Sequence, residues 1–337
     1  MHPGDEALAA LGAFRIPIPL PFPQAGGPIN VVAVEEADGG VALFDTGIAT
    51  PAGEAALAAG LAARGFRFED VRRIFVTHGH VDHYGLATTL HERSGAAVFV
   101  HPADRWKIAA PSPWEALAPR YRAFALRAGV DAAGIRAMLA FAHGEERFVR
   151  RFPGRTGELR EGMRLSFARC EATVLEMPGH TPGLVCALLE APGAGRILVA
   201  DDMLLEHVSP NPILEILDDG SRFRALPAYF RSLARLDAME LDWIVPGHGA
   251  CFSSHGQVIA GLRDFYARRM ERIHAAVPPE GATPFELLPA IFRQIGPLEL
   301  FFMLSELLGN LDLLEDAGRV HGAVEAGRLR YWRTDHP

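Results

Sequence analysis

Residues 77–85 read Thr-His-Gly-His-Val-Asp-His-Tyr-Gly, which puts His78, His80, Asp82 and His83 within six consecutive positions. Three imidazoles and a carboxylate at this density make poor core material, because every buried polar group needs its own partner. They make good ligands. Imidazole and carboxylate are the donors that borderline divalent ions such as zinc prefer, and water can fill the rest of the coordination sphere.

Four more motifs fall at the ends of predicted strands. Phe44-Asp45-Thr46-Gly47 closes one, and Pro178-Gly179-His180-Thr181-Pro182-Gly183 follows another. Val199-Ala200-Asp201-Asp202 ends a third and Pro246-Gly247-His248-Gly249 a fourth. Glycine and proline beside each histidine produce sharp turns that aim the ring outward, and strand ends on one edge give ligands a rigid frame.

Taken in order, DTG, HxHxDH, PGHTPG, a strand-terminal aspartate and PGHG resemble the metallo-β-lactamase fold superfamily, over about residues 25 to 252. The resemblance implies an αββα sandwich with two divalent metals at the sheet edge, zinc first and iron or manganese as alternatives. His78, His80 and His180 would hold one metal, and Asp82, His83 and His248 the other. An aspartate of the ADD motif would bridge them. The family pattern of Gly-Asp before an apolar pair favours Asp202, with Met203-Leu204 behind it; Asp201 then stands where the glycine would be, and is the other candidate. Asp45 either orients a ligand, as partners of metal-bound histidines do, or caps the turn before Gly47. Seven ligand candidates without cysteine speak against a closed structural zinc site, which takes four ligands and favours thiolates.

Composition narrows the partners. The formal charge is −8 over 337 residues, so nucleic acid and anionic membrane find no basic footprint. Basic side chains are almost all arginine, with Lys107 the single lysine. Cys170, Cys186 and Cys251 are scattered, which argues against a disulfide framework and fits a reducing compartment. The start, MHPGDEALAALGAF, has acidic Asp5 and Glu6 and no signal-peptide pattern. A cytoplasmic location is expected.

Strand-length apolar runs are expected at 29–34, 41–44, 74–76, 98–100, 172–175, 184–189, 197–200 and 243–245, with helices over 52–64, 86–93 and 222–236. The Pro-rich run Ile16–Pro23 suits an extended edge segment. Residues 1–256 are expected as the catalytic domain. It carries a helical insert at 114–152, whose apolar stripe (Phe124, Leu126, Ile135, Met138, Leu139, Phe141) is either a lid over an apolar pocket or plain core packing. Residues 257–337 read as a small helical module, winged-helix-like in outline, ending in a strand pair around 325–327. Its apolar run 298–308 would suit a homodimer contact.

The resemblance leads to a hydrolase with a small-molecule substrate. His80 stands where the oxygen-reducing branch has glutamate, and Leu205 where many lactonases of the family have tyrosine. Asp82 would orient the nucleophile besides ligating. A glyoxalase II-like thioesterase with a helical C-terminal extension comes first, then a phosphodiesterase or ribonuclease, or a lactonase. His207, in the loop beyond Asp202, is a candidate substrate contact. His91, His101, His143, His255, His274 and His321 lack motif context.

Overall fold

The computed structural model describes residues 2–21, 27–296 and 299–334. Strands β1 (Ala13–Ile18), β2 (Ile29–Glu35), β3 (Val41–Phe44), β4 (Val71–Val76), β5 (Ala97–Val100) and β6 (Gly157–Glu158) form one sheet in that order. Pairing is antiparallel from β1 to β3 and parallel from β3 to β6. A second sheet runs in the order β11-β10-β9-β8-β7, from β7 (Arg164–Ser166), β8 (Glu171–Glu176), β9 (Val185–Glu190), β10 (Arg196–Asp201) and β11 (Trp243–Pro246). β10 and β11 are parallel; β7 to β10 alternate direction.

Both faces of the first sheet are buried, and the side-chain period of two explains how. Val31, Ala33, Val41, Leu43, Ile74 and Val76 face one core, under Leu57, Leu61 and Leu90 of the helices α2 and α4 defined below. The alternate residues Val32, Val34, Ala42, Phe44 and Phe75 face the other core. There they meet Val174, Val185, Ala187, Leu189, Ile197, Val199 and Val245 of the second sheet. The sheets are therefore sandwiched between helices, the expected αββα arrangement. The helices of this part are α1 (Pro3–Ala10), α2 (Pro51–Ala62), α3 (Val81–Tyr84), α4 (Ala87–Ser94) and α5 (Arg105–Ile108). Thr50 caps α2 through its hydroxyl, which accepts from Gly53 N, and Pro51 opens the first turn.

Ile16–Ile18 lies at the end of the edge strand β1, as the proline spacing predicts; Phe22 and Pro23 fall outside the described residues. The sequence did not single out the short strands β6 and β7 or the small helices α1 and α5. Each is too short or too polar for a periodic signal.

Packing divides the chain into two compact units. The first is 1–112, 146–210 and 232–259; the second is 113–145, 211–231 and 260–337. The insert thus falls in one unit with the C-terminal helices, although in sequence the two read as separate pieces. Helices α6 (Trp114–Arg127), α7 (Ala132–Gly144), α8 (Ala225–Asp237), α9 (His255–Ala276), α10 (Pro284–Ile291) and α11 (Leu300–Asp316) precede the hairpin of β12 (Val320–Glu325) and β13 (Arg328–Arg333). Phe124, Ile135 and Met138 are buried in the second unit's core with Ile273, Leu288 and Leu304. Of the two readings of the insert's stripe, these three side chains follow core packing, while Leu126 is 45% exposed. Leu300, Leu304, Leu307 and Leu308, from the run proposed for a dimer, are buried in this same core. No helix among the described residues is long and apolar enough to cross a membrane.

Candidate metal centre

The C-terminal ends of β3, β4, β8, β10 and β11 carry the five motifs, and all of these ends lie in the first unit. β4 delivers Thr77 and His78; His80 then stands at the N-cap of α3, which places Asp82 and His83 in its single turn. The Asp45-Thr46-Gly47 turn holds that turn in place. Thr46 N donates to His83 O at 2.7 Å, and Thr46 Oγ1 accepts from Leu86 N at 3.2 Å.

The structure brings together all seven predicted ligands. His80 Nδ1 lies 2.9 Å from both His78 Nε2 and His180 Nε2. A second group forms around His83 Nε2, with Asp82 Oδ2 at 3.8 Å, and around His248 Nε2, 3.7 Å from the same carboxylate oxygen. In each group the ligand atoms lie within 4.8 Å of one another. Asp202 sits between the groups. Its Oδ2 is 3.4 Å from His180 Nε2 and 3.6 Å from His83 Nε2, and its Oδ1 is 3.5 Å from His248 Nε2.

A cation fits these donors. His83 Nε2 and Asp202 Oδ1 are buried with no hydrogen-bond partner among the described residues, an arrangement that is costly unless something else satisfies them. The rings are also held with the right nitrogens inward. His83 Nδ1 faces Asp45 Oδ2 at 2.9 Å, and His78 Nδ1 faces Asp201 Oδ2 at 2.7 Å. His248 Nδ1 faces Gly27 O at 3.4 Å. Burial, with His78 and His180 alongside, holds His80 well below the usual histidine range, so that ring offers a lone pair.

Asp45 and Asp201 both have positive φ, 62° and 51°. The β10–β11 register shifts between Val199 and Asp201. Successive strand residues point to opposite faces, but this break lets Asp201 and its neighbour Asp202 both reach the histidines. Asp201 meets His78 and His83, and with them forms a third cluster of possible donors. It lies behind them, against the Nδ1 atoms, while Asp202 occupies the middle. Asp45 does more than cap a turn: Oδ1 accepts from Thr77 N at 2.8 Å and Oδ2 from Thr77 Oγ1 at 2.7 Å. Burial and the nearby Asp201 charge push its carboxyl up to about 6. Gly247 must lack a side chain, since a Cβ there would sit 2.2 Å from Asp202 Oδ1.

Two supporting residues escaped the sequence reading. Asp104, fully buried, accepts from Gly79 N at 2.8 Å, Thr181 Oγ1 at 2.8 Å, Gly183 N at 3.1 Å and Lys107 Nζ at 3.1 Å. It ties the loop of His78 and His80 to the loop of His180. Burial works against its charge, but Lys107 and the Gly79 N–H outweigh that and hold the carboxyl below its ordinary range. Asn30 donates through Nδ2 to Pro246 O and Gly249 O, both at 2.8 Å, and so clamps the turn that carries His248. Neither residue lies in a motif, and no sequence signal marks them. His207 is not among the converging groups: its side chain is 84% exposed and pairs with Glu206 at 3.2 Å. Cys170, Cys186 and Cys251 are buried free thiols.

Residues 25–248 match the family model of the metallo-beta-lactamase superfamily. The chain belongs to this superfamily. It is 29% identical over 325 residues to a probable metallo-hydrolase, YqjP, of Bacillus subtilis strain 168, covering 95% of this chain and 97% of that one. The crystal structure of the metallo-beta-lactamase family protein TTHA1429 from Thermus thermophilus aligns with a TM-score of 0.79 at 30% identity, over 96% of this chain and 99% of that one. A 48-residue stretch is 54% identical to a hydroxyacylglutathione hydrolase of Synechocystis, 14% of this chain and 18% of that protein. The protein is a metallo-hydrolase of the superfamily with His/Asp clusters able to hold divalent metal.

Metal uptake by this site should expel protons. Burial lowers His248, but the Asp202 carboxylate and then Asp82 outweigh it and push the ring up to about 9. His83 is raised well above the ordinary range, because Asp201, Asp82 and Asp45 outweigh its burial. At neutral pH the His248 ring is therefore protonated in the metal-free protein, and a cation must displace that proton along with any that His83 carries on Nε2. Metal affinity is expected to rise with pH, by about tenfold per pH unit for each proton displaced, until the His248 value is passed. Competition against a chromophoric chelator, repeated across the range, measures the slope; an affinity that does not change with pH would contradict this account.

Proposed function

We propose that the protein is a dinuclear metal-dependent hydrolase acting on a thioester or related acyl substrate. The observation that carries the two-metal reading is the Asp202 carboxylate, whose oxygens stand between two separate imidazole groups, one of them with no hydrogen-bond partner among the described residues. Two divalent cations bound there would lower the pKa of water from about 16 towards about 7 and polarise the substrate oxygen. Zinc suits this donor set, as do iron and manganese.

The chain's own residues do the rest. Asp82 is partly open to solvent and lies beside the His83–His248 group, so it can accept a hydrogen bond from the attacking water and orient it. Asp45, Asp201 and Asp104 hold the ligand loops in place, which avoids reorganisation during the reaction. No serine or cysteine nucleophile is needed. The stretch similar to a hydroxyacylglutathione hydrolase supports an acyl-sulfur substrate. Thiolates leave readily, so hydroxide attack on that carbonyl needs little help at the leaving group. A homodimer remains part of the proposal, through surfaces other than the buried leucines of α11.

The test is turnover by purified protein of measured metal content, offered thioesters, lactones, β-lactams and phosphodiesters. Thioesters are expected to be hydrolysed fastest. Cleavage of phosphodiesters alone would overturn the acyl assignment.

A further inference from the structure

We infer that Asp201 is a positioning residue that fastens one ligand from each metal group to a single carboxylate and thereby links the loading of the two sites; this rests on the two-metal reading above. His78 belongs to the group with His80 and His180, His83 to the group with Asp82 and His248, and the two converge with Asp201 in a third. Asp201 Oδ2 is 2.7 Å from His78 Nδ1, and Asp201 Oδ1 is 3.1 Å from His83 Nδ1. The Thr77 hydroxyl, whose one proton is shared between Asp201 Oδ2 and Asp45 Oδ2, also lies against Asp201. An ionised carboxylate only accepts, so both rings must carry their proton on Nδ1 and turn the Nε2 lone pair inward.

The backbone sharpens the point. At φ 51° glycine is unstrained, whereas a residue with a Cβ is strained. If the chain needed only the bend here, glycine would be the easier residue. Asp201 accepts that strain and in return makes contacts with both rings. Asp45 cannot replace it. That carboxylate reaches His83 but not His78, whose other polar neighbour at Nδ1 is Thr77 Oγ1 at 3.4 Å.

Asp201→Gly suits the backbone and removes both acceptors, while Asp201→Asn keeps the shape but presents an acceptor to one ring and a donor to the other. Zinc stoichiometry and stepwise affinity, measured by chelator competition with the full chain, read the effect directly. Asp201→Gly is expected to weaken both ions by about 10- to 100-fold. Asp201→Asn should weaken one ion and spare the other, and Asp45→Asn only the ion held by His83. Two ions bound by both Asp201 variants within about twofold of the wild-type affinities would overturn the inference, even if the metal-free variants melt at lower temperature. A wild-type protein that takes up one ion would overturn the two-metal reading, and the inference with it.

Discussion

Alanine at His80, and separately at Asp202, is expected to cut hydrolysis on the order of a thousandfold or more while leaving the fold intact. His80 Nδ1 is the atom on which His78 and His180 converge, so its loss opens the first group. Asp202 is the carboxylate that stands among the Nε2 atoms of His180, His83 and His248, so its loss removes the donor between the two groups on that side. Neither side chain holds up secondary structure. His80 makes no capping hydrogen bond to α3, and Asp202 Oδ1 has no hydrogen-bond partner among the described residues to lose. The His80 variant should retain metal at the second group only, and the Asp202 variant should bind both ions weakly. Metal content by mass spectrometry and kcat on the best panel substrate check this, with circular dichroism as the folding control. If either variant kept wild-type turnover, a hydrolytic centre between these residues would be untenable.

Asp104→Ala is expected to cost about 3–5 kcal/mol of stability, because it removes a buried carboxylate that four donors share, one of them an ammonium. Lys107, Gly79 N, Thr181 Oγ1 and Gly183 N all lose that contact at once. Asp104→Asn should fall between, since an amide oxygen replaces some of those bonds without the charge. Removing both charges, with Asp104→Ala and Lys107→Met together, should recover part of the loss, as an apolar pair leaves no unpaired charge. Urea unfolding of the metal-free proteins gives the values. The same variant should also bind the first metal less tightly, because the loops of His80 and His180 are no longer tied together. An Asp104→Ala stability within about 1 kcal/mol of wild type would mean that solvent reaches the ammonium and that the residue is no keystone.

The ligands were legible because their signals are local. HxHxDH places its side chains through one strand end and one helical turn, and each remaining motif puts a histidine or aspartate in a turn whose glycine or proline marks it. Strand-length apolar runs bounded by turn residues likewise revealed β2, β3 and the central strands. The supporting residues are a different case. Asp104 reaches Gly79 and Thr181 across 25 and 77 positions, and Asn30 reaches the His248 turn across more than 200. Such contacts leave no imprint on neighbouring residues. His207 follows Asp202 closely in the chain, yet its side chain is exposed and pairs with Glu206, apart from the converging groups.

The order and chemistry of five short motifs were enough, without coordinates, to select an αββα sandwich and to name candidate ligands that converge in it, since donor type and strand-end placement are written residue by residue. Which imidazole nitrogens each of two adjacent aspartates meets was not written there: that depends on the backbone angle at Asp201. Those are properties of two sheets packed face to face, where packing of distant strands sets the angles and distances that decide the chemistry.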